Sequence, residues 1–231
     1  MISNVPVIVY LTFFAAVTFS LLMFYFANRK NGKFIFGVVL WGFLQSILAI
    51  SGFYRNTTTV PPRIVLLLFP LVFIIILSLF SIRMQMWLGS LNLKQLTYLH
   101  SARIPVELVL YWLFTAGYVP ELLTFEGRNF DILAGISALI VALIAFRKNH
   151  INKPLLWGWN ILSIVLLTNV LINAIFSVPT VFQQFGFEQP NIAVLNFPFI
   201  LLPGIIVPLV LISNIAGFVI LRSHQSGAAP L

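Results

Sequence analysis

Eight residues in one segment are the group in this chain best equipped for chemistry: Thr97, His100, Arg103, Glu107, Tyr111, Thr115, Tyr118 and Glu121. At 100° per residue they fall within about 60° of one line, so a helix through the segment carries a polar and aromatic stripe. A carboxylate, a guanidinium and an imidazole on one face can lock an ion pair, bind a polar ligand group or pass a proton. Glu107 is the only acidic residue deep within an apolar run; Glu121, Glu126, Asp131 and Glu188 fall in the gaps. A carboxylate at that depth is costly unless it is paired, protonated or hydrated. Its candidate partners are Arg103, four residues earlier, and Arg83 at the end of the preceding run.

A second stripe, Asn169, Asn173 and Ser177, recurs every fourth residue, and Gln45 could join either stripe. Amides that deep must bond either to a neighbouring helix or to something held in a cavity. Asn196 stands beside Pro198, the first of three prolines (with Pro203 and Pro208) in one run. Each proline frees the carbonyl four residues before it (Val194, Phe199 and Gly204), and a freed carbonyl in hydrocarbon needs another partner. Two gaps are richer than connectors need to be. Residues 121–131 hold Glu126, Arg128 and Asp131, and residues 179–191 hold Glu188 among Gln183, Gln184 and Gln189. They read either as helix caps with surface ion pairs, Arg128 with Asp131 among them, or as a lid over a cavity.

The elements that carry these groups are apolar runs. Seven are expected, near 5–27, 34–54, 64–82, 104–119, 132–146, 155–178 and 192–221. About 20 apolar residues in a helix cross the hydrocarbon core of a bilayer. Of 231 residues, 60% are hydrophobic and 8% charged, a balance that a soluble core of this size cannot bury. The expected fold is therefore an all-α integral membrane protein, a single domain over residues 1–231 built as one seven-helix bundle. Ten of the thirteen Lys and Arg residues lie in the first, third and fifth gaps and the C-terminal tail, and only Arg55, Arg63 and Arg128 lie opposite. That bias places the N-terminus outside and the C-terminus in the cytoplasm. Short gaps and the lack of a soluble domain suggest a bacterial inner (plasma) membrane. The first run reads as a retained signal-anchor, because its charges follow it.

Packing signals accompany the runs. Ala134, Ala138 and Ala142 on the fifth run, and Gly42 and Ser46 on the second, have the small-residue spacing that lets helices approach closely in lipid. Between 83 and 103, Leu91, Leu93, Leu96 and Leu99 predict a short amphipathic helix at the interface. Pro105 fits the first turn of the fourth span.

Composition also excludes several chemistries. The net charge of +8 sits at helix ends facing anionic lipid, so nucleic acid is not an expected partner. There is no cysteine, which removes thiolate metal sites and thiol nucleophiles. His100, His150 and His224 are isolated, so no metal site is expected, and the resemblance to seven-span zinc hydrolases fails there. The seven-span, N-outside topology also resembles that of rhodopsins. However, Lys30, Lys33, Lys94, Lys148 and Lys153 all fall in gaps, so a retinal Schiff base is excluded and no cofactor is expected. The expected function is binding or transport of a small, possibly lipid-like or amphipathic, molecule between the fourth, sixth and seventh spans. Two alternatives stand beside it: a membrane enzyme acting on a lipid or isoprenoid, and a non-catalytic scaffold or subunit of a membrane complex. Partners beyond the bilayer and such a ligand are not specified, and neither is the oligomeric state.

Overall fold

The computed structural model describes residue 2 and residues 5–147 and 151–223, so Lys148, His150 and His224 lie outside the described residues. Helix accounts for 73% of the fold, with no strand among the described residues. The helices are α1 (Val7–Ala27), α2 (Gly32–Ile50), α3 (Val65–Phe80), α4 (Ile82–Gly89), α5 (Leu93–Leu99), α6 (Arg103–Thr115), α7 (Asp131–Ala145), α8 (Lys153–Phe176) and α9 (Val207–Ser223). Side chains of Asn31, Ser81, Asn92 and Asn152 accept backbone N–H bonds at the starts of α2, α4, α5 and α8. These caps satisfy donors that a first turn leaves open.

Four helical segments are long and apolar enough to cross a membrane: Val7–Ala27, Gly32–Ile50, Lys153–Phe176 and Leu202–Arg222. A fifth candidate is α3 with α4, which bend by 96° about Ser81. Helices α6 and α7 coincide with the fourth and fifth apolar runs but are only 13 and 15 residues long. Helix α7 by itself reaches roughly 20 Å, less than the ~30 Å of hydrocarbon, whereas α6 continues a helical path that begins at Leu93.

The seventh run behaves differently from a single long helix. Residues 192–201 fold as turns, including a 3₁₀ turn at Ala193–Leu195. Regular helix begins only after a π-helical turn, Leu202–Ile206, that contains Pro203. Proline lacks the donor that an α-helix would direct to the carbonyl four residues back, so the chain enters this helix through a wider turn. From there α9 runs through the centre of the bundle. Its spanning window is 78% buried, against 33% for α1, and it packs on α3, α4, α5 and α8.

The interfacial helix expected between 83 and 103 is instead drawn inward. Leu91, Leu96 and Leu99 are buried, and α5 packs on α1, α7 and α9. The Asn92 N–H donates to the Ala27 carbonyl (2.9 Å), which ties the start of α5 to the end of α1. Burying those leucines against three helices removes more apolar surface from polar surroundings than lying on the bundle's rim would. A 3₁₀ turn, His100–Ala102, then joins α5 directly to α6, so the helical path from Leu93 to Thr115 is unbroken and Pro105 sits in the first turn of α6.

The small-residue faces bring helices together. Ala134, Ala138 and Ala142 are buried where α7 meets its neighbours, chiefly α8. Gly42 lies so close to Ile205 that a Cβ there would stand 2.5 Å from its Cδ1. α2 thereby meets the π turn with little between the backbones.

Candidate functional site

The unbroken helical path from α5 into α6 buries the N-terminal half of the polar stripe. Thr97, His100, Arg103 and Glu107 are all buried, whereas Tyr111 and Tyr118 are half-buried and Thr115 and Glu121 exposed. The change comes from the loop at 116–130, which folds back into the bundle. A 3₁₀ turn at Glu121–Leu123 and the Thr124 Oγ1–Glu121 carbonyl bond (2.8 Å) tighten it. Gly127 lies so near the Glu121 carbonyl that a Cβ would collide with it. Asn129, buried at the base of the loop, donates to Glu107 Oε1 (2.6 Å) and to the Leu123 carbonyl (2.9 Å). Its Oδ1 accepts the Asp131 N–H at 3.0 Å and so starts α7.

This return brings Asp131 to the level of Arg103. Arg103 Nη1 donates to Asp131 Oδ1 at 2.9 Å and to the Ser163 carbonyl of α8 at 3.3 Å, with both charged side chains almost fully buried. Arg103 thus ties α6 to α7 and α8. Of the pairings drawn from the sequence, Arg128–Asp131 and Glu107–Arg83 do not form: Asp131 meets Arg103, and Glu107 accepts from Asn129 while lying within reach of the Arg103 charge. One guanidinium faces two carboxyl groups here, and its Nε and Nη2, together with Glu107 Oε2, have no hydrogen-bond partner. Such orphaned groups are expensive in a buried setting. Below the cluster, His100 Nδ1 lies 3.3 Å from Ser163 Oγ, and its ring meets Trp159 edge-on with centroids 4.9 Å apart.

Arg103, Glu107 and Asp131 form one end of a cavity of about 110 Å³. Its walls are apolar: Val106 and Leu110 from α6, Leu167 to Ile175 from α8, the π turn with Val207 and Val210, and Ile64 and Leu68 around the start of α3. Leu123 from the first loop, and Val178, Asn191 and Val194 from the second, also line it. The second loop is anchored by Gln189, whose Nε2 donates to the Phe114 and Val119 carbonyls (2.8 and 2.6 Å), and by the Asn191 N–H on the Ser177 carbonyl. Asn191 Oδ1 is a further buried acceptor with no partner. A mostly apolar chamber with a few convergent polar groups has the form of a small-molecule site. The volume exceeds what one water needs several-fold.

Other residues singled out from sequence lie elsewhere. Tyr111 stacks on Phe125 at 5.0 Å, away from the cavity wall. Asn173 donates to the Asn169 carbonyl (2.9 Å) and Ser177 to the Asn173 carbonyl (2.6 Å), so that stripe is satisfied within its own helix. Asn169 donates to the Arg128 carbonyl (2.8 Å), holding the first loop to α8. Asn196 accepts from Arg55 Nε (3.0 Å) and donates to the Ile192 carbonyl (2.8 Å). Glu126, Arg128 and Glu188 are exposed. Asn129, Ser163 and Asn191 are the site residues that periodicity did not single out. Among the described residues, no group of three His, Asp or Glu side chains could hold a metal ion.

Fold and site together define an all-helical protein, with helices able to cross a membrane, built around an apolar chamber with a charged floor. Across residues 61–222 the chain matches the model of a family described as a domain of unknown function (DUF8737), and it belongs to that family. Every residue that lines the cavity, from Ile64 to Val210, falls inside that stretch. No curated protein and no solved structure matches the chain.

Proposed function

We propose that this is a seven-span membrane protein that binds or transports a small amphipathic molecule in the cavity between α6, α8 and α9. In this reading the N-terminus is outside, the C-terminus is cytoplasmic, and the membrane is a bacterial inner membrane, as the distribution of Lys and Arg implies. One observation carries the ligand: Arg103, Glu107 and Asn191, each with a buried hydrogen-bonding atom that has no partner, line with Asp131 a chamber whose remaining walls are apolar. A scaffold needs no such chamber, and polar groups kept only for packing would be satisfied by one another. Asn169, Asn173 and Ser177, which do satisfy one another, fit that packing role instead.

The test is native mass spectrometry of the protein extracted in lipid nanodiscs. A co-extracted small molecule should accompany the wild type and be lost from Ala174→Phe, which fills the cavity from α8 while leaving the charged floor intact. A wild type that carries nothing, together with an Ala174→Phe protein of lower stability because a dry core was overpacked, would sink the reading and favour a scaffold.

A further inference from the structure

Within the described residues, the cavity's walls are not all packed on one another. α3 packs against α4, α9 and the π turn, and α8 packs against α7, α9 and the Glu121–Leu123 turn. α3 and α8 have no interface of comparable extent with each other. Both nevertheless line the cavity, through Ile64 and Leu68 on one side and Leu171 and Ile175 on the other. Ile175 is the telling residue, because it lines the chamber and is also 39% exposed on the outer surface of the bundle. Around it that surface is apolar: Ile172 beside it and Val65, Leu66 and Phe69 across the gap are exposed. Such a surface faces lipid tails rather than water. The chamber therefore has a lip where the bilayer begins.

The floor restricts what can enter through that lip. Arg103 offers two unpartnered donors, Nε and Nη2, while Glu107 Oε2 is an unpartnered acceptor. An oxygen on the ligand can accept from Arg103, and a hydroxyl or amide hydrogen can donate to Glu107. An anionic head would meet the Asp131 carboxylate, which already occupies the single guanidinium. A cationic head would meet the guanidinium of Arg103, which has only donors to offer it. Either mismatch is severe where dielectric screening is weak.

Building on the amphiphile-binding reading, we infer that the ligand is a single-chain lipid with an uncharged, hydroxyl- or carbonyl-bearing head. It enters sideways from the bilayer between α3 and α8 and sets its head on Arg103. A slender apolar tail then lies along the Leu167–Ile175 face of α8, with its far end still near the lip.

The experiment is photolabelling in phosphatidylcholine proteoliposomes with three diazirine-bearing probes of equal chain length: a long-chain alcohol, a fatty acid and an alkyl amine. The alcohol should label Leu68, Leu171 and Ile175. Unlabelled oleyl alcohol should compete, and oleate and oleylamine should compete about tenfold more weakly, the factor expected when a hydrogen bond to a charged group is lost or opposed. Ile175→Trp should reduce that labelling without changing thermal stability, because the new side chain lies at a lipid-facing lip. Labels confined to residues 121–131 and 179–191 would mean entry from water and overturn the route. Equal or better labelling by the acid or the amine would overturn the head assignment. A protein that carries a co-extracted molecule yet admits none of the probes would overturn this inference alone. One that does neither would take the amphiphile-binding reading with it.

Discussion

Arg103 has a fixed partner and spare donors at once, and the two halves of that arrangement respond to mutation in opposite ways. Asp131→Ala leaves a buried guanidinium uncompensated, a loss of about 3–5 kcal/mol, and thermal unfolding in detergent should show it as a large drop in midpoint. Replacing both partners with apolar residues of similar size, Arg103→Met with Asp131→Leu, should recover most of that stability. The double variant should still lose ligand, which separates the structural role from the binding one. Glu107 predicts a second contrast. Glu107→Gln keeps an Oε1 that can accept from Asn129, so stability should stay within about 1 kcal/mol of wild type. Asn129→Ala strands both Glu107 and the Leu123 carbonyl and should cost about 1–3 kcal/mol for each group left bare. If Glu107→Gln destabilises as much as Asn129→Ala, Glu107 is held by its charge and not by this hydrogen bond.

Helices α6 and α7 meet at the tightest point near the charged floor. A Cβ on Gly135 would stand 2.8 Å from Ile104 Cγ1 and 3.1 Å from the Ile104 backbone nitrogen. Gly135→Ala should therefore push α7 away from α6, at a cost of about 1–3 kcal/mol, and lengthen the Arg103–Asp131 contact. The same substitution at Gly158, which has open space around it, should be neutral and serves as the control. How far such features could be read from the chain depends on whether they obey helical periodicity. The stripe through α6 did, so His100, Arg103 and Glu107 were identifiable as sharing one face, although spacing marked only Glu107 as deep. Most helices were legible within a few residues; the exceptions are α4, which turns away from α3 inside an expected gap, and the stretch after Ile192, where Pro198 and Pro203 replaced the first part of a helix with turns. Asn129 and Asn191 belong to loops whose return into the bundle leaves no periodic trace. Ser163 takes part through its backbone carbonyl, which no sequence pattern reveals. The amides on α8 were misleading for a different reason: a Ser or Asn on a helix can bond to the carbonyl four residues back, so depth alone does not require a ligand.

The proposed orientation makes a prediction for the molecule as a whole, and a chain with no cysteine is well suited to test it. Thr58→Cys and Ser90→Cys are both at exposed positions, between α2 and α3 and between α4 and α5. An impermeant maleimide should reach the first in intact cells and the second only after permeabilisation. The reverse pattern, or equal labelling, would overturn the assignment of sides. The shortness of α7 has a consequence that reaches into the surrounding bilayer. α7 presents Leu133, Ile136, Ile140, Leu143 and Ile144 outward as a continuous apolar strip, yet at about 1.5 Å per residue that strip is several ångströms shorter than an average hydrocarbon core. In the proposed seven-span topology, lipid beside it must compress its tails to match, while lipid beside the 24-residue α8 need not. The protein therefore carries a thin flank and a thick flank, and acyl-chain length becomes a variable that acts on it unevenly. Nanodiscs of shorter-chain phosphatidylcholine should raise its unfolding temperature relative to longer-chain ones, and α7 should tilt further from the membrane normal as the membrane around it thins.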